Sequence, residues 1–278
     1  MPPRDPLRHP RAENAIRSLR CEAGPDRASG DGSGLFVVDE GEVHPLLVNW
    51  WLAKDEAVRR LEAAGRLNTG AQARDARHMQ SISAFVRQMF VDAGLDESDV
   101  YTDSIVPGYY RRSKNWDVVA MHRGQLVAVA ELKSQASSPG NNANNRIEEA
   151  IGSAYDAKAV QDLTGAFGDL GVWAAWCMTF NRDAEDGDPI ELTPFQTARL
   201  RFPITDSAFV PMTYASQYAS AIQRLIAQNV YQAGWMVTTW VNPDGTVEYD
   251  EPVPTATART LRTQIEARVT FALQALGG

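Results

Sequence analysis

Five apolar residues, Met79, Ile82, Val86, Met89 and Phe90, recur at helical spacing, and Gly94 stands where a left-handed cap would end the helix. This spacing predicts a helix over about 71–93. Another helix, after a short strand or extended piece, is expected within 35–67, and further ones over 146–163, 215–232 and 257–276. Residues 100–113 read as a strand and a loop. GVWAAWCMTF (171–180) is apolar throughout, as a buried central strand would be. WMVTTWV and TVEYDEP flank the turn residues NPDG and predict a hairpin. Strands mixed with helices point to the α/β class, with α+β as the alternative, and to a mixed central sheet flanked by helices. Residues 1–34, rich in Pro, Gly, Arg and Asp without periodicity, are expected as a flexible arm, leaving 35–278 as a single domain.

One pair of predicted strands breaks the apolar pattern. In NWDVVAMHRGQLVAVAELKSQ (115–135), Asp117, Glu131 and Lys133 are set among apolar neighbours. Charges there are costly unless paired or bound to a metal. A three-residue loop, His122-Arg123-Gly124, with Gly124 in the left-handed region, would set Met121 against Gln125 and Asp117 against Val129. Glu131 lies two residues further on, so this register places Asp117, Glu131, Lys133 and Gln135 on one face. A slip of one residue would separate Asp117 from the others. Two adjacent carboxylates repel unless a cation neutralises them, and Mg²⁺ accepts such oxygen ligands together with a phosphate. A neighbouring lysine can stabilise developing charge or position a water. The pattern suits phosphodiester hydrolysis. The alternative is a partly exposed sheet edge with cross-strand ion pairs, since about 0.5 acid-x-Lys matches are expected by chance here. A second match, Asp156-Ala157-Lys158, falls in a predicted helix without a partner acid.

Composition narrows the classes. The chain has 27 basic and 35 acidic residues, a net charge of −8, which argues against coating nucleic acid by bulk charge but not against a basic cleft. No apolar run is long enough to span a bilayer and no secretory signal is evident, so no membrane is expected. Cys21 and Cys177 make neither a disulfide framework nor a zinc set, and a reducing, cytoplasmic setting is expected. The four histidines lack metal-site spacing. Trp50, Trp51, Trp173, Trp176, Trp235 and Trp240 are expected in the core.

The stretch PGYYRRSKNWDVVAMHRGQLVAVAELKSQ, followed by PGNNANNRIEEAIGSA, resembles the XhoI-type family of Type II restriction endonucleases, of the PD-(D/E)xK nuclease superfamily. The likeness is strongest over 105–156, with a partial match at GAQARDARHM (70–79), and implies a restriction-endonuclease-like catalytic core over about 70–180. Trp116 stands where the superfamily has proline. The resemblance implies Asp117 and Glu131 as metal ligands, with the backbone carbonyl of Leu132, and Lys133 as the catalytic lysine. Mg²⁺ is the implied cofactor, with Mn²⁺ able to substitute. Family members imply a homodimer that cuts double-stranded DNA at CTCGAG, leaving four-base 5′ overhangs and a 5′-phosphate. They also imply a cognate DNA methyltransferase as partner.

Further candidates flank this centre. Asn141, Asn142, Asn144, Asn145 and Arg146 could read bases or clamp phosphates, the alternative being that Asn-rich loops make turns and that Asn145 caps the next helix. Tyr109, Tyr110, Arg111, Arg112 and Lys114 form a basic, aromatic approach to Asp117, or an exposed loop. Gln135 is a further DNA-binding candidate. Glu148 and Glu149 are placed to reach the metal site or anchor Lys133, or simply suit a helix N-terminus. Gln72, Arg74, Asp75 and Arg77 form a polar helix face, and Arg199 and Arg201 a second basic segment. The readings that stay open are a site-specific endonuclease, another nuclease on the same core (repair or structure-specific), and a non-catalytic DNA-binding or assembly module.

Overall fold

The computed structural model describes residues 40–65, 76–136, 139–184, 198–209 and 212–277. The predicted arm, residues 35–39 and positions 72, 74 and 75 lie outside that set. In chain order the main elements are α1 (Glu40–Ala63), α2 (Gln80–Asp92), β1 (Val100–Pro107), β2 (Ser113–His122), β3 (Gln125–Gln135), α3 (Pro139–Thr164), β4 (Ala174–Asn181), α4 (Tyr214–Ala227), β5 (Ala233–Val241), β6 (Val247–Asp250) and α5 (Ala258–Leu276).

The six strands form one sheet in sequence order. β1, β2 and β3 run antiparallel to one another, β3–β4 and β4–β5 are parallel, and β6 returns antiparallel to β5. This is an α/β fold with a mixed sheet. Every residue of β4 is buried, because helices cover both faces. On one face α1, α2 and α5 bring Leu47, Trp50, Val86, Phe90, Leu261 and Ile265 against Val118, Ala128, Leu132 and Trp235. On the other, Ala150, Ala154, Val160, Tyr218 and Ile222 of α3 and α4 pack against Val119, Val129, Trp176 and Met236. Gly234 lets α4 approach closely: a Cβ there would lie 2.8 Å from Ile222 Cδ1 and 3.0 Å from the Trp176 carbonyl.

The core tryptophans are buried as expected, except Trp240, which is half-buried beneath Arg182. Of the helix expected over 71–93, residues 71–75 lie outside the described set, and the rest is a short 3₁₀ turn, Ala76–Met79, running into α2; Gly94 follows α2 with φ +113°. Two expectations are corrected. The β2–β3 loop has two residues, not three: His122 pairs with Gln125, and Arg123 and Gly124 both adopt positive φ, as a tight hairpin turn that follows strand twist requires. The helix expected from residue 146 begins at Pro139, so positions 141–145 lie in its first turns and Asn145 is not its cap. Proline suits a first helical turn, where its missing N–H has no carbonyl to bond.

Candidate active site

The two-residue turn shifts the pairing by one, to Met121↔Leu126, which is the slip that would part Asp117 from Glu131. A β-bulge restores the parity. Ala120 pairs with Ala128, leaving Val127 as the extra residue, and beyond it Val118 pairs with Ala130. Continuing that register sets Asp117 opposite Glu131. β2 itself is irregular at this point, since Trp116 packs on the α3 side and Val118 on the opposite side. Across from the break, Asp103 of β1 has φ +54°, and the β1–β2 pairing passes from Thr102↔Val118 to Ser104↔Trp116 without it.

Asp117 Oδ2 accepts the backbone N–H of Leu132 at 2.7 Å. Glu131, 1% exposed, holds Lys133 Nζ at 2.6 Å from its Oε1, while Lys114 Nζ closes on Oε2 as an ion contact without hydrogen-bond geometry. Glu149 Oε2 lies 3.7 Å from the Lys133 ammonium on its outer side. Burial pushes the Asp117 carboxyl up to about 6; the Leu132 N–H opposes this and the charge of Glu131 adds to it. For Lys133 burial pulls downward, but the charge and hydrogen bond of Glu131, with Asp117 and Glu149, raise it above the ordinary lysine value. Lys133 therefore stays an ammonium.

The remaining candidates divide by placement. Lys114 lies inside the cluster, over the ring of Trp116, rather than on an outer approach. Gln135 is buried, and its Oε1 accepts from Tyr218 Oη at 3.1 Å and Arg146 Nε at 3.3 Å, linking β3 to α4 and α3. Asn144 accepts from Gln217 Nε2 at 2.8 Å. Asn145, Glu148 and Arg112 are exposed, Asn142 is half-buried, and Asn141 is placed only by its backbone. Arg199 and Arg201 are exposed outside the cluster.

Arg111, still exposed, pairs with α3, its Nε 2.8 Å from Asp156 Oδ2. Asp156 Oδ1 also accepts the backbone N–H groups of Tyr109 and Tyr110 at 2.9 and 2.8 Å, fastening the turn before β2 onto α3. Burial opposes this charge, yet the Tyr110 N–H, Arg111 and the Tyr109 N–H hold the carboxyl below its ordinary value. The second acid-x-Lys match is thus a structural clamp at Asp156, with Lys158 paired instead to Asp162. No sequence signal marks that clamp, because its partners lie about 45 positions away. His78, beside Trp50, has its Nε2 2.8 Å from the Oγ of Ser134, the residue after Lys133 in β3, a contact that no spacing of the histidines reveals.

A family model described as restriction endonuclease XhoI matches residues 61–249. The Type II restriction enzyme AbrI of Azospirillum brasilense is 34% identical over 134 residues, covering 46% of this chain and 60% of AbrI. The Type II restriction enzyme XhoI of Xanthomonas vasicola is 30% identical over 193 residues, covering 65% of this chain and 72% of that protein. The Type II restriction enzyme BstVI of Geobacillus stearothermophilus is 26% identical over 171 residues, covering 58% and 73%. No solved structure gives a significant match.

Proposed function

The chain belongs to the XhoI family of restriction endonucleases, and from that premise we propose that it cuts double-stranded DNA at a palindromic site through Asp117, Glu131 and Lys133. One observation carries the reading: two carboxylates and an ammonium from adjacent strands converge in a largely buried cluster, with Asp117 bonded to the strand that bears Glu131. Charged groups gathered out of water in this way are costly to hold, and such groups collect at functional sites.

Restriction enzymes of this type generally use divalent metal ions, and the donors here fit one. Asp117, Glu131 and the carbonyl of Leu132 offer only oxygen, which suits Mg²⁺, with Mn²⁺ as a substitute. Glu131 Oε2 is buried without a hydrogen bond, and the Asp117 carboxyl is pushed up, so the pair would gain from added positive charge. Among the described residues no three acidic, His or Cys side chains come together as a metal site, so phosphate oxygens and water would complete the shell. When bound, the ion supplies a counter-charge to the phosphate and a more acidic water. Glu131 orients Lys133, whose ammonium can hydrogen-bond the attacking water or an oxygen of the developing phosphorane. In-line attack would leave a 3′-hydroxyl and a 5′-phosphate.

The proposed site is CTCGAG with a 5′ overhang, read by a homodimer whose two-fold axis matches that of the DNA. A single endonuclease domain over 35–278, a cytoplasmic setting and a cognate methyltransferase complete the proposal. Arg146, Asn144, Asn145 and Arg112 remain proposed DNA contacts. Among the described residues no helix is long and apolar enough to cross a membrane.

The test is a digest with Mg²⁺ of two unmethylated plasmids, one carrying a single CTCGAG, alongside Glu131→Ala. Linearisation of that plasmid alone, lost in the variant, is expected. Discrete cuts elsewhere would remove the proposed specificity and keep the nuclease. Cutting that follows DNA structure rather than sequence would indicate a repair-type enzyme. The absence of cutting with any divalent metal would leave a binding module.

A further inference from the structure

The chain has four lysines, and two of them meet at one buried glutamate. Lys133 occupies Oε1 of Glu131 and Lys114 occupies Oε2. Lys114 reaches that oxygen from beside the Trp116 ring. Its side chain is 12% exposed, its ammonium lies 4.9 Å from the ring centroid of fully buried Trp116, and Nζ donates to the Asn115 carbonyl at 3.3 Å. The break in β2 is what permits this, because it turns Trp116 to the α3 side, where Glu131 lies. Both oxygens of Glu131 are therefore already faced by an ammonium. An incoming divalent ion must take an oxygen of Glu131 away from one of the two ammonium groups. Lys133 has Glu149 as an additional partner, whereas Lys114 makes a contact that lacks hydrogen-bond geometry. Lys114 is the group that can be displaced.

We infer that Lys114 is a built-in countercharge for Glu131, which a metal ion must displace and which keeps the hold of the DNA-free protein on that ion weak. This rests on Glu131 being a metal ligand, as proposed above. A DNA phosphate offers the displaced ammonium a new anion, so metal loading is favoured where a scissile phosphate is already bound. Lys114 then acts as a positioning residue that discourages metal activation away from substrate.

The test is calorimetric titration of Ca²⁺, a hard cation with the same preference for oxygen, into the DNA-free full-length protein. Lys114→Met keeps the aliphatic stem over Trp116 and is expected to bind Ca²⁺ about tenfold more tightly or better, the scale set by removing one close charge at partial burial. Lys114→Arg keeps the charge and is expected to bind as weakly as the parent. Glu131→Gln is expected to abolish binding in either background. Should thermal melting show Lys114→Met unfolded, Lys114→Gln takes its place. If removing the charge leaves affinity unchanged or weaker while Glu131→Gln still abolishes binding, the countercharge is refuted and the metal assignment stands. If Glu131→Gln changes nothing, or no variant binds the ion, both fall.

Discussion

Asp117 takes the backbone N–H of Leu132 in a 2.7 Å hydrogen bond, so the first acid of the site is fastened to the strand that carries the second. This bond favours the carboxylate, but burial and the neighbouring Glu131 outweigh it, leaving the carboxyl near 6 against an ordinary 3.8. A carboxyl raised on folding contributes stability that is complete below about 3.8 and is lost as pH rises through about 6. Asp117→Asn can still accept the Leu132 N–H and has no charge to bury. In metal-free protein it is expected to gain about 1–2 kcal/mol over the parent at pH 8 and little at pH 4, after allowance for partial exposure. Urea unfolding at the two pH values measures this, and an equal effect at both would refute the assigned cause. DNA cleavage by the variant should be lost.

Lys133→Ala removes the ammonium 2.6 Å from Glu131. Loss of one group that stabilises transition-state charge lowers turnover by about 10²–10³-fold. Single-turnover cleavage at saturating Mg²⁺ should show that fall with DNA affinity nearly intact. A defect confined to DNA binding would instead make Lys133 a phosphate contact.

Asp156 joins two backbone N–H groups and Arg111 in a single clamp. Asp156→Ala removes the acceptor of the two part-buried N–H groups, while exposed Arg111 can turn to water, and is expected to cost about 1–3 kcal/mol. Lys158→Ala, two residues on, breaks only an exposed pair with Asp162 and is expected to stay within about 0.5 kcal/mol of the parent. Denaturant midpoints of the two variants should therefore separate clearly.

That contrast shows which parts of the molecule the sequence reveals. Asp156-Ala157-Lys158 and Glu131-Leu132-Lys133 have the same spacing, and only the surrounding elements separate them. Strand context, an acid across a short hairpin and the flanking Asn-rich segment were all readable in linear order, as were the buried β4 and the β5–β6 turn. Long-range anchoring was not. In linear order Lys114 belongs to a basic approach to Asp117 or to an exposed loop, and it turns inward only because β2 breaks its alternation at Asp117, opposite the left-handed Asp103. A break of that kind depends on two strands at once, so no window along one strand displays it. The partners of Gln135 in α3 and α4 are hidden for the same reason.

The bulge at Val127 gives the last prediction. Its extra residue corrects the odd register of the two-residue turn, so the shared placement of Asp117, Glu131 and Lys133 depends on it. Arg268 of α5 holds the bulge from behind: Nε donates to the Val127 carbonyl at 2.8 Å, and its two terminal nitrogens donate to the carbonyls of Leu170 and Gly171 at 3.0 and 2.7 Å. Lysine cannot reproduce that three-way contact, since its single ammonium lacks the planar fork. Arg268→Lys is therefore expected to destabilise the protein by about 1–3 kcal/mol, from the carbonyls it leaves unpaired. Turnover should fall as well, because the bulge aligns β3 with β2. Deleting Val127 is the sharper variant. It moves the strand back by one residue, turning either Glu131 and Lys133 or the apolar set around them to the wrong side of the sheet. Cleavage should vanish, even under conditions where circular dichroism and size-exclusion chromatography still report folded protein. Retained cleavage by a folded deletion would mean that the hairpin re-registers at the turn, and that the bulge does not set the geometry of the site.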